Sequence, residues 1–546
     1  MRTVANHIKT NYNPLLMTEI KQMIIEGVRE KAMEDFLINI IKGTEWQGKV
    51  FIAGGYVRDE FMGKDPKDLD LLINAPNGGF LFAKWITKKL NIYKGPEIDP
   101  PIPPMPQVET DEKGKPTTPE GKAEMEAWEE KINQIQKLYS NPVIFPRFGT
   151  VKFNLRGVTH MGIDLGDMDI EAVMPRKEKY IPGSRKPIVT GGELKDDVER
   201  RDFTINSLLK DLSTGEILDL TGQGKDDIKA GIVRTAAALN PDKIFTDDPL
   251  RMLRAIRFTV KYNWDLPWFM LHGLKKNAPQ LKKISEERIR DELNKILETG
   301  SPDRGIKLIK VAGLMPFVIP ELLSLVKLTQ NKYHKHDAFT HTLEVLKGTE
   351  PKLVVRLMAL FHDIGKAVTW SLDPKTGGVH FYGHEMAGEK ITEEVMFRLK
   401  YPRELIDAVK MGVRHHMRMK SAGDEGVKIS DKAILKFRNE MGALLPEVLK
   451  LMHADNTAHA DAAAMPNQIR NLEARIATLK DIPEKPKMPI NGNDLKTIPG
   501  LKPGPIFKEI MAAVLDAWYA NPKLSKDEAM EIARRMAQSA KAKGQI

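Results

Sequence analysis

Hydrophobic and polar positions change their period along this chain of 546 residues. Short apolar runs, Val50 to Ala53 and Leu69 to Ile73, are separated by a polar GKDPKD turn, and similar runs continue from Val143 to about Val173. Such runs are typical of strands. Residues 17–41 instead place apolar side chains at helical spacing. The first part of the chain is therefore predicted to contain a sheet preceded by a helix.

After Asp196 the pattern is helical almost throughout. Amphipathic segments separated by Gly and Pro lie near residues 247–262, 285–298, 303–313, 337–348, 353–361, 386–400 and 403–413. Two proline-rich stretches, 95–118 and 482–489, block both helix and central strand. We predict that the first is an extended loop leading into a charged helix over 120–139, and that the second links to a helical tail.

Composition narrows the class of protein. A length of 546 residues with 41% hydrophobic and 29% charged residues is typical of several globular domains. The net charge of +10 suits a polyanionic partner such as nucleic acid. The absence of cysteine excludes disulfides and thiolate metal sites and is compatible with a reducing cytoplasm. No apolar run of about 18 residues and no signal-peptide pattern is found, so we expect a cytoplasmic location without membrane association.

Two carboxylates stand at the centre of a first group of candidate functional residues. Asp68 and Asp70 are two apart, so on a strand they project from the same face. Like charges this close are unfavourable without a cation between them, and hard oxygen ligands suit Mg²⁺. Upstream, Gly54 and Gly55 allow backbone N–H groups to approach a triphosphate closely. The pattern predicts in-line phosphoryl or nucleotidyl transfer that uses Mg²⁺.

A third carboxylate is expected from a neighbouring strand. Asp167, Asp169 and Glu171 alternate along one short segment and are predicted to share a strand face. Of these we favour Glu171 as the catalytic residue, with Asp169 next.

A second group of candidate residues follows at 200–206. Arg200 and Arg201 can neutralise phosphates and form paired hydrogen bonds to them. Asp202 and Asn206, predicted to lie one helical turn apart, can share a face and contact a ribose or a base. An isolated arginine pair of this kind is more often part of a salt-bridged helix start.

Asp248 and Arg251 form a possible base reader. Pro249 occupies a favoured position at a helix start, which places the two side chains three apart on one face. A carboxylate accepts from an exocyclic amine and a guanidinium donates to a ring nitrogen or carbonyl, so the pair matches cytosine and adenine. Arg254 and Arg257 follow on later turns, where they face either phosphates or solvent.

Histidines and aspartates cluster in the last third of the chain. Most of the 13 histidines fall between residues 334 and 459, in segments that include FHDIGK, YGHE, RHH and HAD. Imidazole and carboxylate together suit a divalent transition metal. Scattered histidines in a helical domain are usually structural, whereas His-Asp-x-Gly-Lys with an upstream histidine is unusual.

Several of these segments resemble the bacterial type of the tRNA nucleotidyltransferase and poly(A) polymerase family. The similarity lies in FIAGGYVRDEFMGKDPKDLDLLIN at 51–74, FGTVKF at 148–153, EAVMPRKEKY at 171–180, RRDFTIN at 200–206 and DDPLR at 247–251. It implies that Asp68 and Asp70 are the catalytic metal ligands. It also implies nucleotide binding by Gly54, Gly55, Arg58, Arg200, Arg201, Asp202, Asn206, Asp248, Arg251, Arg254 and Arg257. Asp247 stands where the family has Glu, and Ser207 where it has Ala.

The histidine-rich region is similar to HD phosphohydrolase domains. This likeness implies that His341, His362 and Asp363 are metal ligands, that Asp455 completes the site, and that His384 with His415 or His416 forms a second one. Some HD domains in this family hydrolyse phosphoesters and others only support the fold. Of the adjacent histidines, we favour His416 as the ligand.

The resemblance covers about residues 45 to 535 and implies an α+β fold, with a small mixed-sheet nucleotidyltransferase head followed by a helical neck, an HD body and a tail. The predicted domains are a helical extension (1–45), the head (46–196, with the insertion 95–140), the neck (197–325), the HD domain (326–480) and the tail (481–546). The implied function is template-independent addition of CCA to a tRNA 3′ end from CTP and ATP. Two alternatives stay open: a poly(A) polymerase or A-adding enzyme, and an HD phosphohydrolase with an RNA-binding head.

Overall fold

The computed structural model describes most of the chain and divides it into two compact units. The described residues are 14–66, 68–101, 103, 106, 108–109, 116–145, 149–166, 168–179, 188–236, 240–330, 336–420, 429–460, 464–483 and 487–542. One unit runs up to Arg288 and includes Ile309–Phe317, and the other contains Ile289–Leu308 and Val318 onward. Among the described residues no helix is both long and apolar enough to cross a membrane.

The first unit contains the sheet. Its elements are α1 (Pro14–Ile41), β1 (Val50–Ala53), α2 (Gly55–Phe61), β2 (Asp70–Ile73), α3 (Gly78–Lys89), α4 (Pro119–Lys137), β3 (Val143–Phe145), β4 (Thr150–Asn154), β5 (Thr159–His160), β6 (Ile163–Asp164), β7 (Asp169–Val173), β8 (Arg176–Lys179), β9 (Ile188–Gly191), α5 (Leu194–Glu199), β10 (Leu209–Asp211), β11 (Ile217–Leu218), α6 (Gly224–Ala230), α7 (Pro241–Asp247), α8 (Arg251–Tyr262) and α9 (Trp268–Asn277). The predicted strands and the helices over 120–139 and 247–262 are therefore present.

Seven strands form one mixed sheet in the order β11-β10-β1-β2-β7-β4-β3. Most neighbours are antiparallel, and β2 with β7 is parallel. The central strand β1 is buried at every position, which explains why it is apolar throughout instead of alternating. Helix α3 packs on β2, β4 and β7, and a Cβ added to Gly79 would lie 2.7 Å from the carbonyl oxygen of Ala172. The glycine therefore permits the close approach of helix and sheet.

Strands β10 and β11 extend the head sheet past the predicted boundary at residue 196. Leu209 to Asp211 pair with β1, although the surrounding sequence has a helical pattern. Lys210 then reaches a buried cluster, where its Nζ lies 2.6 Å from carboxylate oxygens of both Glu34 on α1 and Glu60 on α2. These two ion pairs connect both α1 and α2 to strand β10.

The proline-rich insertion packs against the head in its described part. The carboxylate of Asp99 accepts from the Tyr139 hydroxyl at 2.8 Å and lies 2.5 Å from Lys84 Nζ on α3. The Trp128 indole of α4 donates to the Pro103 carbonyl at 3.0 Å. Thr118 caps α4 and Pro119 occupies its first turn, so the helix begins where the sequence indicates.

The remaining described residues form helices and one two-stranded hairpin. Its elements are α10 (Glu286–Leu297), α11 (Pro302–Val311), α12 (Met315–Val318), α13 (Ala338–Lys347), α14 (Leu353–Phe361), α15 (Lys366–Thr369), β12 (Ser371–Leu372), β13 (Val379–His380), α16 (His384–Arg398), α17 (Arg403–His415), α18 (Asp431–Met441), α19 (Leu445–Thr457), α20 (Gln468–Thr478), α21 (Gly492–Leu495), α22 (Pro505–Ala520) and α23 (Lys526–Ala542). Helix α14 is apolar on nearly every side and buried, as expected of a central helix. It contacts α13, α17 and α19, while α22 and α23 pack together around a separate apolar cluster. The α+β fold class predicted from the sequence is confirmed.

Candidate active site and metal cluster

The parallel pairing of β2 with β7 places two predicted carboxylates side by side. Asp70 opens β2 and its register partner is Glu171 on β7, about 4.8 Å away across the sheet. Asp68 does not share the strand with Asp70, contrary to the prediction, because it precedes β2 and has a positive φ of 56°. Asp169 is exposed at the start of β7, and Asp167 lies outside the described residues. Asp68 and Asp70 nevertheless line one pocket.

The carboxyl group of Asp70 is in an environment that suits a cation. Loss of water within the pocket walls and the neighbouring Glu171 carboxylate raise its pKa to about 6, although the side chain still reaches solvent. Arg201 lowers this pKa and Asp68 raises it further. Crowded carboxylates that resist ionisation together are the expected state of a metal site without its ion. The acids of the head therefore fit a divalent cation.

Gly54 and Arg58 line the same pocket as these acids. Gly54 has φ +79°, a conformation that favours glycine, and a Cβ there would lie 3.2 Å from Nη1 of Arg201. Arg58 is buried and binds the Asp59 carboxylate through Nε and Nη2 at 2.8 and 2.9 Å. Its Nη1 donates to Asn206 Oδ1 at 2.5 Å. The side chain is held in place and its guanidinium faces the pocket.

A buried acid that was not predicted orients the arginine pair. Asp197 is fully buried, and its two carboxylate oxygens accept separately from Arg200, at 2.5 Å, and Arg201, at 2.9 Å. Burial alone raises the pKa of a carboxyl, but the two guanidinium groups outweigh it and hold the pKa of Asp197 below its usual value. Asp197 stands one turn before the arginines on α5, a spacing that makes such a pair recognisable in sequence.

Asp202 and Asn206 are in contact. They do not lie on a regular helix, although the sequence predicts that they are one helical turn apart. Residues 204–206 form a single 3-10 turn, and Asn206 Nδ2 donates to Asp202 Oδ1 at 2.9 Å. The other oxygen of Asp202 accepts from Arg254 Nε at 2.8 Å. Despite complete burial, these partners keep the pKa of Asp202 below its ordinary value. Ser207, next in sequence, is buried and donates to the Val198 and Phe203 carbonyls.

The predicted base reader lines the same pocket, although Asp248 precedes α8 instead of lying on it. Asp248 Oδ2 binds Nη2 of Arg288 at 3.1 Å, a partner that the sequence did not reveal. Arg251 donates through Nη2 to the Arg200 carbonyl at 2.9 Å. Its Nη1 is buried and has no hydrogen-bond partner among the described residues. One donor of Arg251 is thus available to a ligand.

These residues converge on a pocket of about 550 Å³. Its lining includes the predicted head residues apart from Asp169, Glu171 and Arg200. Glu171 and Arg200 line an adjoining space of about 180 Å³ together with Asp70 and Arg201. The larger pocket also contains Asp59, Phe258, Lys261 and Arg288, which were not predicted. Burial and the nearby Arg58 guanidinium lower the pKa of Lys261. Cations outnumber acids in the lining of this pocket, which suits a polyphosphate.

The raised pKa of Asp70 predicts pH-dependent metal binding. Between about 3.8 and about 6 the folded protein holds a proton on Asp70 that the unfolded chain has released, so without metal the contribution of this group to stability falls as pH rises through that window. A cation competes with the same proton. We expect the Mg²⁺ concentration for half-maximal activity to fall as pH rises toward 6 and to level off above it, measured about one unit on either side. A half-maximal concentration that stays constant over this range would contradict the assignment.

Arg288 is expected to orient Asp248. Replacing Arg288 by alanine should raise KM for the nucleotide about two- to fivefold, because an exposed ion pair of this kind contributes little more, and should leave kcat nearly unchanged. Arg156→Ala, at an exposed arginine of the same unit that does not line the pocket, is the matched control. A change in KM for the RNA with none for the nucleotide would show that Arg288 acts elsewhere.

The HD region brings all of its predicted ligands together in one buried cluster. Three overlapping groups are close enough to hold metal ions: His341, His362 and Asp363; His341, Asp455 and His459; and Asp363, His384 and His416. Asp363 is the junction, with Oδ2 3.1 Å from His362 Nε2 and Oδ1 3.4 Å from His384 Nε2. His341 Nε2 lies 3.0 Å from Asp455 Oδ1. His415 belongs to none of these groups, so the alternative ligand His416 is favoured.

The imidazoles are oriented as metal ligands usually are. His362, His384 and His416 direct Nδ1 at the carbonyls of Ala359, Phe381 and Val413, at distances of 2.7 to 2.9 Å. Donation from Nδ1 leaves Nε2 as the available ligand atom. His362 Nε2 is buried and makes no hydrogen bond to the described residues, and it lies 3.1 Å from the carboxylate oxygen Oδ2 of Asp363. This donor set fits one or two divalent ions.

Three residues of the cluster were missed from the sequence. His459 follows the end of α19, four residues after Asp455, a spacing that could have indicated it. Lys366 Nζ is 2.6 Å from Asp363, and Lys420 Nζ is 2.5 Å from Asp455. These two ammonium groups balance part of the buried negative charge. Burial and Lys420 lower the pKa of His459 to about 4, which keeps it neutral.

The mixed sheet, its paired carboxylates and the cation-lined pocket define a nucleotidyltransferase head. Comparison with family models agrees: residues 133–234 match the poly A polymerase head domain. Residues 270–325 match the probable RNA and SrmB-binding site of polymerase A, and residues 338–460 match the HD domain.

Curated relatives and solved structures are consistent with this class. The A-adding tRNA nucleotidyltransferase of Deinococcus radiodurans is 29% identical over 71% of this chain and 94% of its own length. The CC-adding tRNA nucleotidyltransferase of Thermus thermophilus is 28% identical over 72% and 93%. The crystal structure of the Bacillus stearothermophilus CCA-adding enzyme in complex with CTP has a TM-score of 0.54 at 18% identity, covers 90% of this chain and 94% of its own, and shares the fold. The chain belongs to the tRNA nucleotidyltransferase and poly(A) polymerase family with an HD domain, and it is a nucleotidyltransferase.

Proposed function

We propose that this enzyme adds CMP and AMP, completing CCA, to the 3′ end of tRNA from CTP and ATP. The observation that carries the proposal is one pocket whose lining includes Asp68 and Asp70, several arginines, and the pair Asp248 and Arg251. The acids would hold the metal for the reacting groups, and the base-reading pair lies in the same pocket. The relatives in Deinococcus and Thermus are an A-adding and a CC-adding enzyme of nearly equal similarity, so both nucleotides are expected here.

We assign the metal of the head to Mg²⁺, held by Asp68 and Asp70 with Glu171 beside them. When bound, the ion supplies the charge that activates a 3′-hydroxyl and steadies the leaving pyrophosphate. The other roles belong to side chains. The triphosphate is neutralised by Arg58, Arg201, Arg254 and Arg257, and Arg200 lines the adjoining space. Asp202 holds Arg254 in place, and Asn206 holds Arg58. Gly54 and Gly55 leave space for the phosphates.

Selection of the base is assigned to Asp248 and Arg251. The unpartnered Nη1 of Arg251 can donate to the ring nitrogen or carbonyl of the base, and Asp248 can accept from an exocyclic amine. Cytosine and adenine present that amine, whereas guanine and uracil do not present the same pattern. We therefore expect CTP and ATP to be used and GTP and UTP to be rejected. The cytoplasmic location stays a prediction from the sequence.

A second activity is proposed for the HD domain. Its three overlapping groups of buried imidazoles and carboxylates fit a divalent transition metal, which would supply the chemistry for hydrolysis of a phosphoester. RNA ends that carry a 3′-phosphate are the expected substrates, because hydrolysis there restores the hydroxyl that the head requires.

An extension assay tests both proposals. Transcripts of tRNA that end before CCA, after C and after CC are incubated with Mg²⁺ and CTP, ATP or both, and the 3′ ends are sequenced. Addition of C, C and A that then stops supports the proposal, whereas long A tails on every transcript indicate a poly(A) polymerase and A alone after CC indicates an A-adding enzyme. The same transcripts are also prepared with a 3′-phosphate. If none of the transcripts is extended and phosphate is released from the phosphorylated ends, the function is assigned to the HD domain.

A further inference from the structure

A small hairpin of the HD region leaves several large side chains in solvent. Strands β12 and β13 pair in the register Ser371 with His380 and Leu372 with Val379. Two residues per strand cannot bury a core of their own. The exposed apolar side chains at and around the hairpin are Val368, Trp370, Leu372, Tyr382 and Met386. The described helices leave these side chains uncovered, so their surface is accessible to a ligand.

Two aromatic rings of this hairpin are already stacked. His380 and Tyr382 have ring centroids 4.9 Å apart and ring planes only 9° from parallel. Tyr382 is 78% exposed although one of its faces lies against His380, so most of the other face is in contact with solvent. The carboxylate of Asp373 lies 3.7 Å from Nε2 of His380. A flat, supported and open ring surface is what a nucleobase stacks on.

This stacked pair is attached directly to the metal cluster. Tyr382 is two residues before His384, a distance of at most about 7 Å along the backbone. His384 directs Nε2 at Asp363 and His416, and its Nδ1 is 2.9 Å from the carbonyl of Phe381, the residue that lies between the two stacked rings in sequence. The backbone of the platform is therefore directly adjacent to the backbone of a residue of the metal cluster.

We propose that Tyr382, supported by His380, is a stacking site for the terminal unpaired base of a single-stranded RNA 3′ end, and that it presents the adjoining phosphate to the HD cluster. The proposal deepens, and in its catalytic consequence rests on, the HD activity proposed above. It assigns that site a nucleic-acid substrate instead of a small phosphate ester, because stacking requires a base. It also predicts tolerance of base identity, since every base has an aromatic face.

Photocrosslinking of the full-length protein tests the base site independently of hydrolysis. The probe is a short single-stranded oligoadenylate with a 3′-terminal 4-thiouridine, irradiated with the protein in chelator so that no phosphate is cleaved, and the crosslinked peptides are identified by mass spectrometry. We expect a crosslink within residues 370–386 in addition to any in the head. Absence of a crosslink in this hairpin, with crosslinks in the head present, overturns the proposal.

Variants at the platform separate stacking from general effects. Tyr382→Ala should lower the yield of the hairpin crosslink, and the affinity for the probe at this site, by about tenfold, whereas Tyr382→Phe should retain both. Phe397→Ala, at a residue 66% exposed on α16, is the matched control and should change neither. Equal loss in Tyr382→Phe would contradict stacking. Sedimentation that shows Tyr382→Ala converting a dimer to a monomer would assign the patch to a second copy of the chain and also overturn the proposal.

Hydrolysis of a 3′-phosphorylated oligonucleotide, measured on the same variants, distinguishes the two proposals. A hairpin crosslink without hydrolysis by the unmodified protein supports the base site and removes the HD activity. Hydrolysis with no crosslink in the hairpin removes the base site and leaves the activity. If both hold, Tyr382→Ala should raise KM for the oligonucleotide and leave hydrolysis of the baseless substrate p-nitrophenyl phosphate unchanged.

Discussion

Asp70→Asn lowers the rate of nucleotide addition by about 1,000-fold, because loss of one carboxylate removes a metal ligand and several kcal/mol of stabilisation of the transition state go with it. The fold is expected to remain, since asparagine has the same shape and the pKa of Asp70, raised to about 6, shows that its charge is unfavourable without a cation. Single-turnover extension of a tRNA transcript with CTP, with thermal unfolding measured in parallel, checks both parts.

Asp226→Asn is the control for this substitution. Asp226 belongs to the same unit and its side chain is 83% exposed, outside the pocket, so the change in charge is equal but the site is not affected. A loss in Asp70→Asn below about tenfold, with normal unfolding in both variants, would move the metal site away from Asp70. Glu171→Gln is expected to give a smaller loss, because Glu171 lies beside the main pocket instead of lining it.

The second large effect is expected at Asp363. Asp363→Asn should abolish tight metal binding by the HD cluster, because this carboxylate takes part in two of the three ligand groups and lies at their junction. Metal content after loading and dialysis, measured by mass spectrometry, is expected to fall by at least one ion per chain relative to the unmodified protein, and the increase in Tm on adding metal should disappear. Nucleotide addition by the head is expected to continue.

Two controls distinguish loss of a ligand from loss of structure at this site. Asp407→Asn makes the same change at a half-exposed aspartate of α17, and His453→Ala removes an exposed histidine two residues from Asp455. Both variants should retain the metal. Retention of metal by Asp363→Asn would show that the cluster is a buried polar network without a metal role. Loss of metal in all three variants would indicate instability of the whole domain.

The charges that line the pocket of the head also predict how the nucleotide and its metal bind together. Among the described residues, five acids and seven cations line the pocket, and burial together with the nearby Arg58 lowers the pKa of Lys261. A triphosphate with its metal neutralises both groups at once, since its phosphates face the arginines and its cation faces the aspartates. The aspartates repel one another without the cation, and the arginines repel one another without the phosphates, so nucleotide and metal are expected to bind cooperatively.

Features that depend only on neighbouring residues could be predicted from the sequence alone. The strand runs at Val50 and Leu71 and the amphipathic pattern of α8 are local periodicities, and they were predicted because a period is set by neighbouring residues. The close approach predicted at Gly54 and Gly55 is also local, because it depends only on the absence of side chains at these two positions. Strands β10 and β11 were missed because two or three residues of strand carry too short a pattern to be distinguished from a helical surrounding.

What the sequence by itself determined is therefore the class of enzyme, the α+β architecture and the residue types at both sites. The tertiary structure decided which of these residues meet. Glu171 lies beside Asp70 because β2 and β7 pair in parallel, and Arg288 binds Asp248 although the two residues are 40 positions apart in sequence. Of the adjacent histidines, His416 joins the metal-ligand cluster and His415 does not. Such contacts depend on register and packing between segments far apart in the chain, and no local pattern encodes a distance of that kind.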